Sequence, residues 1–180
     1  MESLSPDNGI WELSHRADPE ALPVADRHYN RQKPGTPQFV PPGRCLVLKH
    51  KCNGVVSALW VTSWPYAEYV KHAWAGAWIN SMFRKECDCR NASEMIQEAV
   101  LWTLSQWTCP PLGLVSFVDP KNVAPRMIRG RPTWGQSYFK AGFAHVGYTK
   151  GGLWAFQLLP QNMPVPTARG KPARWTTGGA

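Results

Sequence analysis

The segment Trp78–Gln106, WINSMFRKECDCRNASEMIQEAVLWTLSQ, decides how this chain folds. It reads as an apolar strand, a charged loop and then a capped helix, in which Asn91 can cap the free N–H groups and Glu94 can reach back to it. A strand, a turn and a helix N-terminus together favour the binding of an anion, because unpaired N–H groups and the positive end of the helix dipole both face that position. We therefore predict that this segment binds the phosphates or carboxylate of a donor and that the rest of the chain carries an acceptor to it.

Strong strand signals lie just before this segment. Residues 44–51 and 55–63 are β-branched and apolar, and Asn53-Gly54 between them is typical of a tight hairpin turn. We predict a third strand at about 76–84. The sequence therefore predicts a meander of three strands leading into the helix.

The first 43 residues give weaker signals. Residues 11–15 alternate as a short strand does, and Asp18-Pro19-Glu20 predicts the start of a helix that runs to about His28. Three prolines and two glycines between Pro34 and Gly43 predict an extended loop.

After the strand at 76–84, apolar residues at helical spacing predict a helix from Ala92 to about Trp107. The remaining predicted elements are a buried strand at 112–118, a basic loop at 121–133, a short helix at 134–141 and a hairpin of strands at 143–148 and 153–159.

This order of elements predicts an α/β (α+β) domain with a central mixed, twisted sheet of about six to seven strands flanked by helices. We assign residues 1–160 to one catalytic domain. Residues 161–180 are rich in Pro, Gly and basic side chains, and we expect them to form a flexible basic tail.

The 180-residue chain carries a net charge of +8 and a pI of about 9.5, which favours a polyanionic partner. A basic protein with no nucleic-acid role stays open as the alternative. No apolar run approaches the roughly 18 residues of a membrane span, and the N-terminus has no signal-peptide pattern, so we expect a cytoplasmic protein and no membrane partner. The five cysteines are expected to be reduced thiols, and because Cys87 and Cys89 have no second pair at zinc-finger spacing we predict no metal.

Two segments near the C-terminus resemble the end of the GNAT acyltransferase fold: Ser137–Phe143 (SYFKAGF) and the strand Trp154–Leu158 (WAFQL). The usual glycine-containing acyl-CoA loop of that fold is absent. In its place stand Asn80–Arg84 (NSMFR) and Asn91–Glu94 (NASE). These replacement segments resemble the corresponding segments of the Mom-like DNA-modification proteins of bacteriophages. The pair His28-Tyr29 and Asp119, which follows the next strand, also resemble motifs of that family.

The resemblance implies an enzyme that modifies the exocyclic N6 amine of adenine in double-stranded DNA, giving a carbamoylmethyl (acetamido-type) adduct that protects against restriction. It also implies an acyl-CoA donor, with acetyl-CoA as the candidate cofactor, and the cytoplasm of a host cell as location if a phage encodes the chain. Two alternatives stay open. One is a GNAT-like acyltransferase acting on a small-molecule, protein or RNA amine, and the other is a non-catalytic DNA-binding protein of the same fold.

Five residues are candidate catalytic groups. His28 and Tyr29 are placed to move protons, Asp119 to act as base for the amine, and Ser93 to hold an anionic or carbonyl oxygen. Tyr138 stands where many GNAT enzymes have a tyrosine that protonates the leaving thiolate. Each of the five also has a purely structural interpretation, as a packed, capping or turn-forming side chain.

Candidate binding residues fall into two groups. Arg84, Asn91 and Ser93 are candidates for holding the donor. The candidate DNA-phosphate contacts are Arg31, Lys33, Lys121, Arg126, Arg129 and Arg131. A base in duplex DNA has to be flipped out before it is modified, and we expect Trp64, Trp74 or Trp134 to stack on it.

Overall fold

The computed structural model describes residues 9–165. Its strands are β1 (Glu12–Leu13), β2 (Cys45–Cys52), β3 (Val55–Ser63), β4 (Trp78–Lys85), β5 (Leu114–Val118), β6 (Arg126–Ile128), β7 (Arg131–Thr133), β8 (Ala144–Tyr148) and β9 (Trp154–Leu158). Its α-helices are α1 (Leu22–Asp26), α2 (Ala92–Gln106) and α3 (Gln136–Lys140). Seven strands form one mixed sheet in the order β1-β2-β3-β4-β5-β9-β8, and β6 pairs with β7 as a separate hairpin. The predicted mixed sheet with few flanking helices is confirmed.

The β2–β3 hairpin forms where the sequence predicts it. Asn53 and Gly54 both have positive φ, at 52° and 79°, as a two-residue turn matched to the twist of the strands requires. The first helix differs from its prediction, since α1 begins only at Leu22. Residues 18–21 form a turn in which the side chain of Asp18 accepts hydrogen bonds from Ser14, Lys49 and the N–H of Glu20.

The segment predicted as a basic loop at 121–133 contains the β6–β7 hairpin. Arg129 (φ 50°) and Gly130 (φ 74°) form its tight turn. Without a branched apolar run on either side, this hairpin carries no strand pattern that sequence alone would reveal.

Helix α2 begins at the predicted cap. The side-chain oxygen of Asn91 accepts a hydrogen bond of 3.0 Å from the N–H of Ser93. The predicted apolar face of α2 is buried and packs against Trp60 and Trp78, which are wholly buried in the same core. Fixing this helix on the sheet fixes the corner that joins it to β4.

Strands β4 and β5 run parallel, yet they pair only at Trp78–Leu114, Ile79–Val115 and Asn80–Ser116. A bulge interrupts the β3–β4 ladder beside this point, because Val61 pairs with Met82 while Thr62 pairs with Asn80, leaving Ser81 as the extra residue. A bulge bends its strand and increases its twist. β4 and β5 therefore separate beyond Asn80 and Ser116, and the opening between them is the site described below.

The predicted end of the domain near residue 160 is only partly described. Pro160–Asn162 form a short 3₁₀ turn, and Met163 packs against the core. Residues 166–180, which hold most of the predicted tail, lie outside the described residues, so the tail stays a prediction. No helix of the described part of the chain is long and apolar enough to span a membrane.

Candidate functional site

A cavity of about 640 Å³ occupies the opening between β4 and β5. Its walls include residues 79–83 of β4, 116–118 of β5, residues 28–30 after α1, and the start of α3 with the loop before it. The segment between β5 and α3 and the residue before β9 complete the lining through Val123, Ala124, Arg126, Thr133 and Leu153. Of the residues predicted as catalytic, His28, Tyr29 and Tyr138 line it. The structure thus brings His28 and Tyr29 to the same cavity as Tyr138, which lies more than a hundred positions later in the chain.

The vertex of the opening is a hydrogen-bonded cluster around the side chain of Asn80. Its amide nitrogen donates to the carbonyls of Val61 (3.2 Å) and Met82 (2.8 Å), and its amide oxygen accepts from Tyr138 Oη (2.9 Å) and Ser116 Oγ (3.1 Å). This orientation satisfies all four bonds, whereas the opposite one would turn the amide oxygen toward two carbonyl oxygens. Asn80 therefore ties the bulged strand, β5 and α3 to one point.

Tyr138 points from α3 into this vertex. Its ring stacks on Phe156, with centroids 5.8 Å apart, and meets Phe143 edge to face. Burial raises the pKa of Tyr138 well above that of a free phenol, and the neighbouring Tyr29 raises it further. The phenol therefore keeps its proton throughout the physiological range, so it is available as an acid and not as a base.

His28 and Tyr29 lie on the wall formed by the segment after α1. Their rings stack with centroids 4.5 Å apart, and Asn30 docks the segment by donating a 2.7 Å hydrogen bond to the carbonyl of Ser81, the bulge residue. His28 is buried, and burial lowers its pKa, so the imidazole is neutral near pH 7. A neutral imidazole beside a cavity can accept a proton.

Asp119 directly follows β5. One of its carboxylate oxygens accepts from the N–H of Lys121 (2.9 Å) and the other from Asn122 Nδ2 (2.7 Å), and these bonds lower its pKa. The backbone of Asp119 also reaches the phenol of Tyr29. The observed bonds of Asp119 are those of a turn-forming residue. Its role as a base stays a prediction.

The predicted donor residues lie at the corner between β4 and α2, apart from the cavity lining. Ser93 Oγ donates to Asn91 Oδ1 (2.8 Å), so both side chains are engaged in the helix cap. Arg84 bonds Glu86 at 2.7 Å, and Arg27 holds the same carboxylate from the other side. The corner presents partly exposed Ser93 and Arg84 next to the open end of α2.

The predicted DNA contacts occupy different positions. The guanidinium of Arg31 is only 7% exposed and pairs with Asp26 (2.9 Å), so contact with DNA would require that this pair open. The other five are exposed: Lys33, Lys121, Arg126, Arg129 and Arg131. Arg126 also lines the cavity, and the β6–β7 hairpin projects a basic surface from the cavity mouth.

The three tryptophans proposed as stacking platforms are all partly buried. Trp134 lines the cavity and donates a 2.8 Å hydrogen bond to the carbonyl of Val123. Trp64 packs among core aromatics, and Trp74 packs against Phe117. Only Trp134 therefore reaches the cavity.

Sequence reasoning missed Asn80 and Ser116 as site residues. Each is a small polar residue inside an otherwise apolar strand, and both are buried in the structure. A buried polar side chain requires a hydrogen-bond partner. A polar residue within each of the apolar strands WINSMF and LVSFV was therefore the signal that could have identified these two site residues.

No family model matches the chain, and no curated protein matches it. Among solved structures, the aminoglycoside 6'-N-acetyltransferase from Enterococcus faecium aligns with a TM-score of 0.55 and 9% identity, over 88% of this chain and 99% of that one. An aminoglycoside 6'-acetyltransferase type Ii aligns with a TM-score of 0.53 and 9% identity, over 87% of this chain and 99% of that one. The chain therefore has the fold of GNAT acetyltransferases. The specific likeness to Mom-like proteins stays a prediction.

Proposed function

We propose that this chain is a transferase that moves an acyl-type group from an acyl-CoA donor to an amine. The observation that carries the proposal is the opening between β4 and β5 with the phenol of Tyr138 at its vertex. Parallel strands that separate create a crevice at their carboxyl ends, where open α/β sheets place ligands. The GNAT-type fold of two acetyltransferases supports the same assignment.

The residues present fit the thiol arm of such a donor. Beyond Asn80, β4 leaves its β5 side without a strand partner among the described residues. Free strand edges bind extended chains that carry amides, as the pantetheine arm does. The phosphates of the donor would be bound in a different way from the thiol arm. The loop Glu86–Asn91 contains no glycine that would let backbone N–H groups surround a pyrophosphate. We assign the phosphate end of the donor to the N-terminus of α2, with Ser93 and Arg84.

The donor supplies an activated acyl group, and the residues of the chain control protons around it. Tyr138 keeps its proton and can deliver it to a leaving thiolate, while Asn80 orients the phenol. His28, which is neutral near pH 7, can take the proton from the amine. General acid–base assistance of this type contributes about 10²–10⁴-fold to a rate.

The test is a thiol-release assay with acetyl-CoA and a panel of amines, together with calorimetric titration of CoA. The proposal predicts CoA binding and amine-dependent thiol release that His28→Gln lowers by about 10²-fold. A chain that neither binds CoA nor releases thiol with any amine, DNA included, would overturn it.

A second candidate acceptor is the N6 amine of adenine in DNA. The supporting observation is the juxtaposition of Arg126 and the basic β6–β7 hairpin with the cavity wall that holds His28 and Tyr29. Backbone phosphates would bind the hairpin and set the orientation of the duplex. Trp134 is the described tryptophan available to stack on a flipped base.

This candidate is tested by mass spectrometry of nucleosides from DNA of cells that express the chain. We expect a modified deoxyadenosine with the wild type and a loss of it with Asp119→Ala. Unmodified DNA would exclude adenine as the acceptor. Equal modification by wild type and the Asp119→Ala variant would exclude Asp119 from the reaction.

A further inference from the structure

Three side chains that bind soft metals converge outside the cavity, and the thiol of Cys52 belongs to the same end of β2 as one of them. His50 and Cys52 lie at the end of β2, and Cys87 and Cys89 lie in the loop between β4 and α2. Ligand atoms of His50, Cys87 and Cys89 all lie within 4.8 Å of one another. His50 Nε2 is 3.5 Å from Cys89 Sγ, which is 2.7 Å from Cys87 Sγ. Cys52 lies two residues beyond His50, at the end of the same strand.

The imidazole of His50 is held in the orientation that a metal ligand needs. Its Nδ1 is 2.6 Å from the carbonyl of Ile10, an acceptor that requires the ring proton to be on Nδ1. Nε2 therefore carries the lone pair, and it faces the sulfur of Cys89. Metal-binding histidines show this arrangement, in which the second ring nitrogen donates to a carbonyl.

The thiols are also supported from outside. Ser57 Oγ lies 3.3 Å from Cys87 Sγ, and the N–H of Glu86 donates to the carbonyl of Ser57 (2.8 Å). All five cysteines are free thiols.

We propose that His50, Cys87 and Cys89 bind one structural Zn²⁺, with Cys52, two residues from His50 along β2, as the fourth ligand. Three thiolates and one imidazole form a closed tetrahedral set of the kind found in structural zinc sites. Each cysteine releases its thiol proton on binding, so three protons leave as the ion enters. The spacing of the cysteines along the chain gave no such prediction, because the ligands come as His-x-Cys and Cys-x-Cys pairs from two separate elements.

The site would fasten the loop 86–90 to the β2–β3 hairpin. This loop leads directly into Asn91, the cap of α2, so the ion would fix the N-terminus of that helix. The metal site stands without the proposed function, whereas this consequence for donor binding rests on it. The bound ion would hold the loop 86–90 in one conformation. In an enzyme with a glycine-rich loop, backbone contacts with the donor would have that role.

The experiment measures metal in the full-length chain purified without chelators, by inductively coupled plasma mass spectrometry. We expect about one zinc per chain, lost in Cys87→Ser/Cys89→Ser and kept in Cys45→Ser/Cys109→Ser, which changes the two cysteines outside the cluster. Because the first variant can misfold, the wild type is also stripped of metal and titrated with Co²⁺. Binding should produce the visible absorption of tetrahedral cobalt thiolate, with saturation at one equivalent.

Three results would overturn the proposal. The first is a reduced wild-type chain that contains no zinc and gives no cobalt absorption. The second is an intact mass and peptide map that place a disulfide between Cys87 and Cys89 in metal-free protein. The third is equal loss of zinc from the Cys45→Ser/Cys109→Ser control. None of these measurements depends on transferase activity, so failure of the metal site and failure of the proposed function are distinguishable.

Discussion

The phenol of Tyr138 donates a 2.9 Å hydrogen bond to the side-chain oxygen of Asn80, across 58 residues of sequence. The bond joins α3 to the bulged strand at the point where β4 and β5 separate. It holds the protonated, partly buried phenol at the wall of the cavity between those strands. Several consequences of this arrangement can be measured.

Tyr138→Phe removes the acid and leaves the ring. We expect kcat for acyl transfer to fall by about 10²-fold or more, while the free energy of unfolding falls by only about 1 kcal/mol, the value of one hydrogen bond. Steady-state kinetics and urea denaturation check the two effects. Tyr148→Phe is the matched control, since Tyr148 is exposed on β8. Equal kcat values for Tyr138→Phe and wild type would exclude Tyr138 as the acid.

Asn80→Asp keeps the shape of the side chain and removes its N–H donors. A carboxylate would then face the carbonyls of Val61 and Met82 in a buried position, so we expect a loss of about 2–4 kcal/mol in the free energy of unfolding at pH 7. Urea denaturation measures it. Asn162→Asp, the same change at an exposed position, should have little effect. A similar stability for both variants would contradict the hydrogen-bond assignment at Asn80.

Glu98 is buried, and burial raises its pKa to about 7 despite N–H donors from Ile10 and Trp11. The folded state therefore holds this proton between the ordinary pKa of 4.5 and about 7, where the unfolded chain has released it. Stability falls as pH rises through that window, by up to about 3 kcal/mol.

Glu98→Gln should remove this dependence, because the amide resembles the protonated acid. We expect the variant to gain stability over wild type from about pH 5 to pH 7, with a constant difference above that range. Denaturation curves at several pH values measure the difference. A difference that does not change with pH would mean that Glu98 titrates normally.

Asp18 joins the N-terminal segment to β2 through a buried ion pair with Lys49 of 2.8 Å. Burial alone would raise its pKa, but hydrogen bonds from Lys49 and Ser14 outweigh it and lower the pKa to about 2. The stabilisation is thus present above pH 3.8 and disappears as pH falls through about 2. We expect Asp18→Asn to cost about 2 kcal/mol at pH 7.

Glu20→Gln is the comparison for Asp18, because Glu20 contacts the same lysine from an exposed position. It should destabilise the chain less than Asp18→Asn does. The reverse order in thermal or urea denaturation would show that burial does not strengthen the Asp18 contact.

The β6–β7 hairpin is expected to contact DNA phosphates if DNA is the acceptor. Replacing Arg126, Arg129 and Arg131 by Ala should weaken duplex binding and reduce the slope of log affinity against log salt by about 3. Lys71, Lys140 and Lys150, also exposed, form a control triple of equal charge change. Equal losses in both triples would indicate binding through net charge alone.

Much of the fold was predictable from local pattern. The Asn53-Gly54 turn, the cap at Asn91 and the apolar face of α2 all lie where the sequence predicts, because turn conformations, caps and helical periodicity depend on neighbouring residues. The contact of Asp18 with Lys49, 31 residues away, was not predictable, since it depends on how the N-terminal segment packs on β2. Three of the residues predicted as catalytic, His28, Tyr29 and Tyr138, line one cavity, and their roles stay predictions.

The sequence by itself determined the strands of the main sheet, the helix that follows Trp78–Lys85 and the absence of a glycine-rich loop before that helix. The tertiary structure alone decided which side chains meet. Asn80 reaches Tyr138 only because β4 pairs in parallel with β5 and bulges at Ser81, and His50 reaches Cys89 only because the β2–β3 hairpin lies beside the loop that follows β4. Periodicity reports which face of an element is buried, but register and packing between distant elements determine what that face contacts.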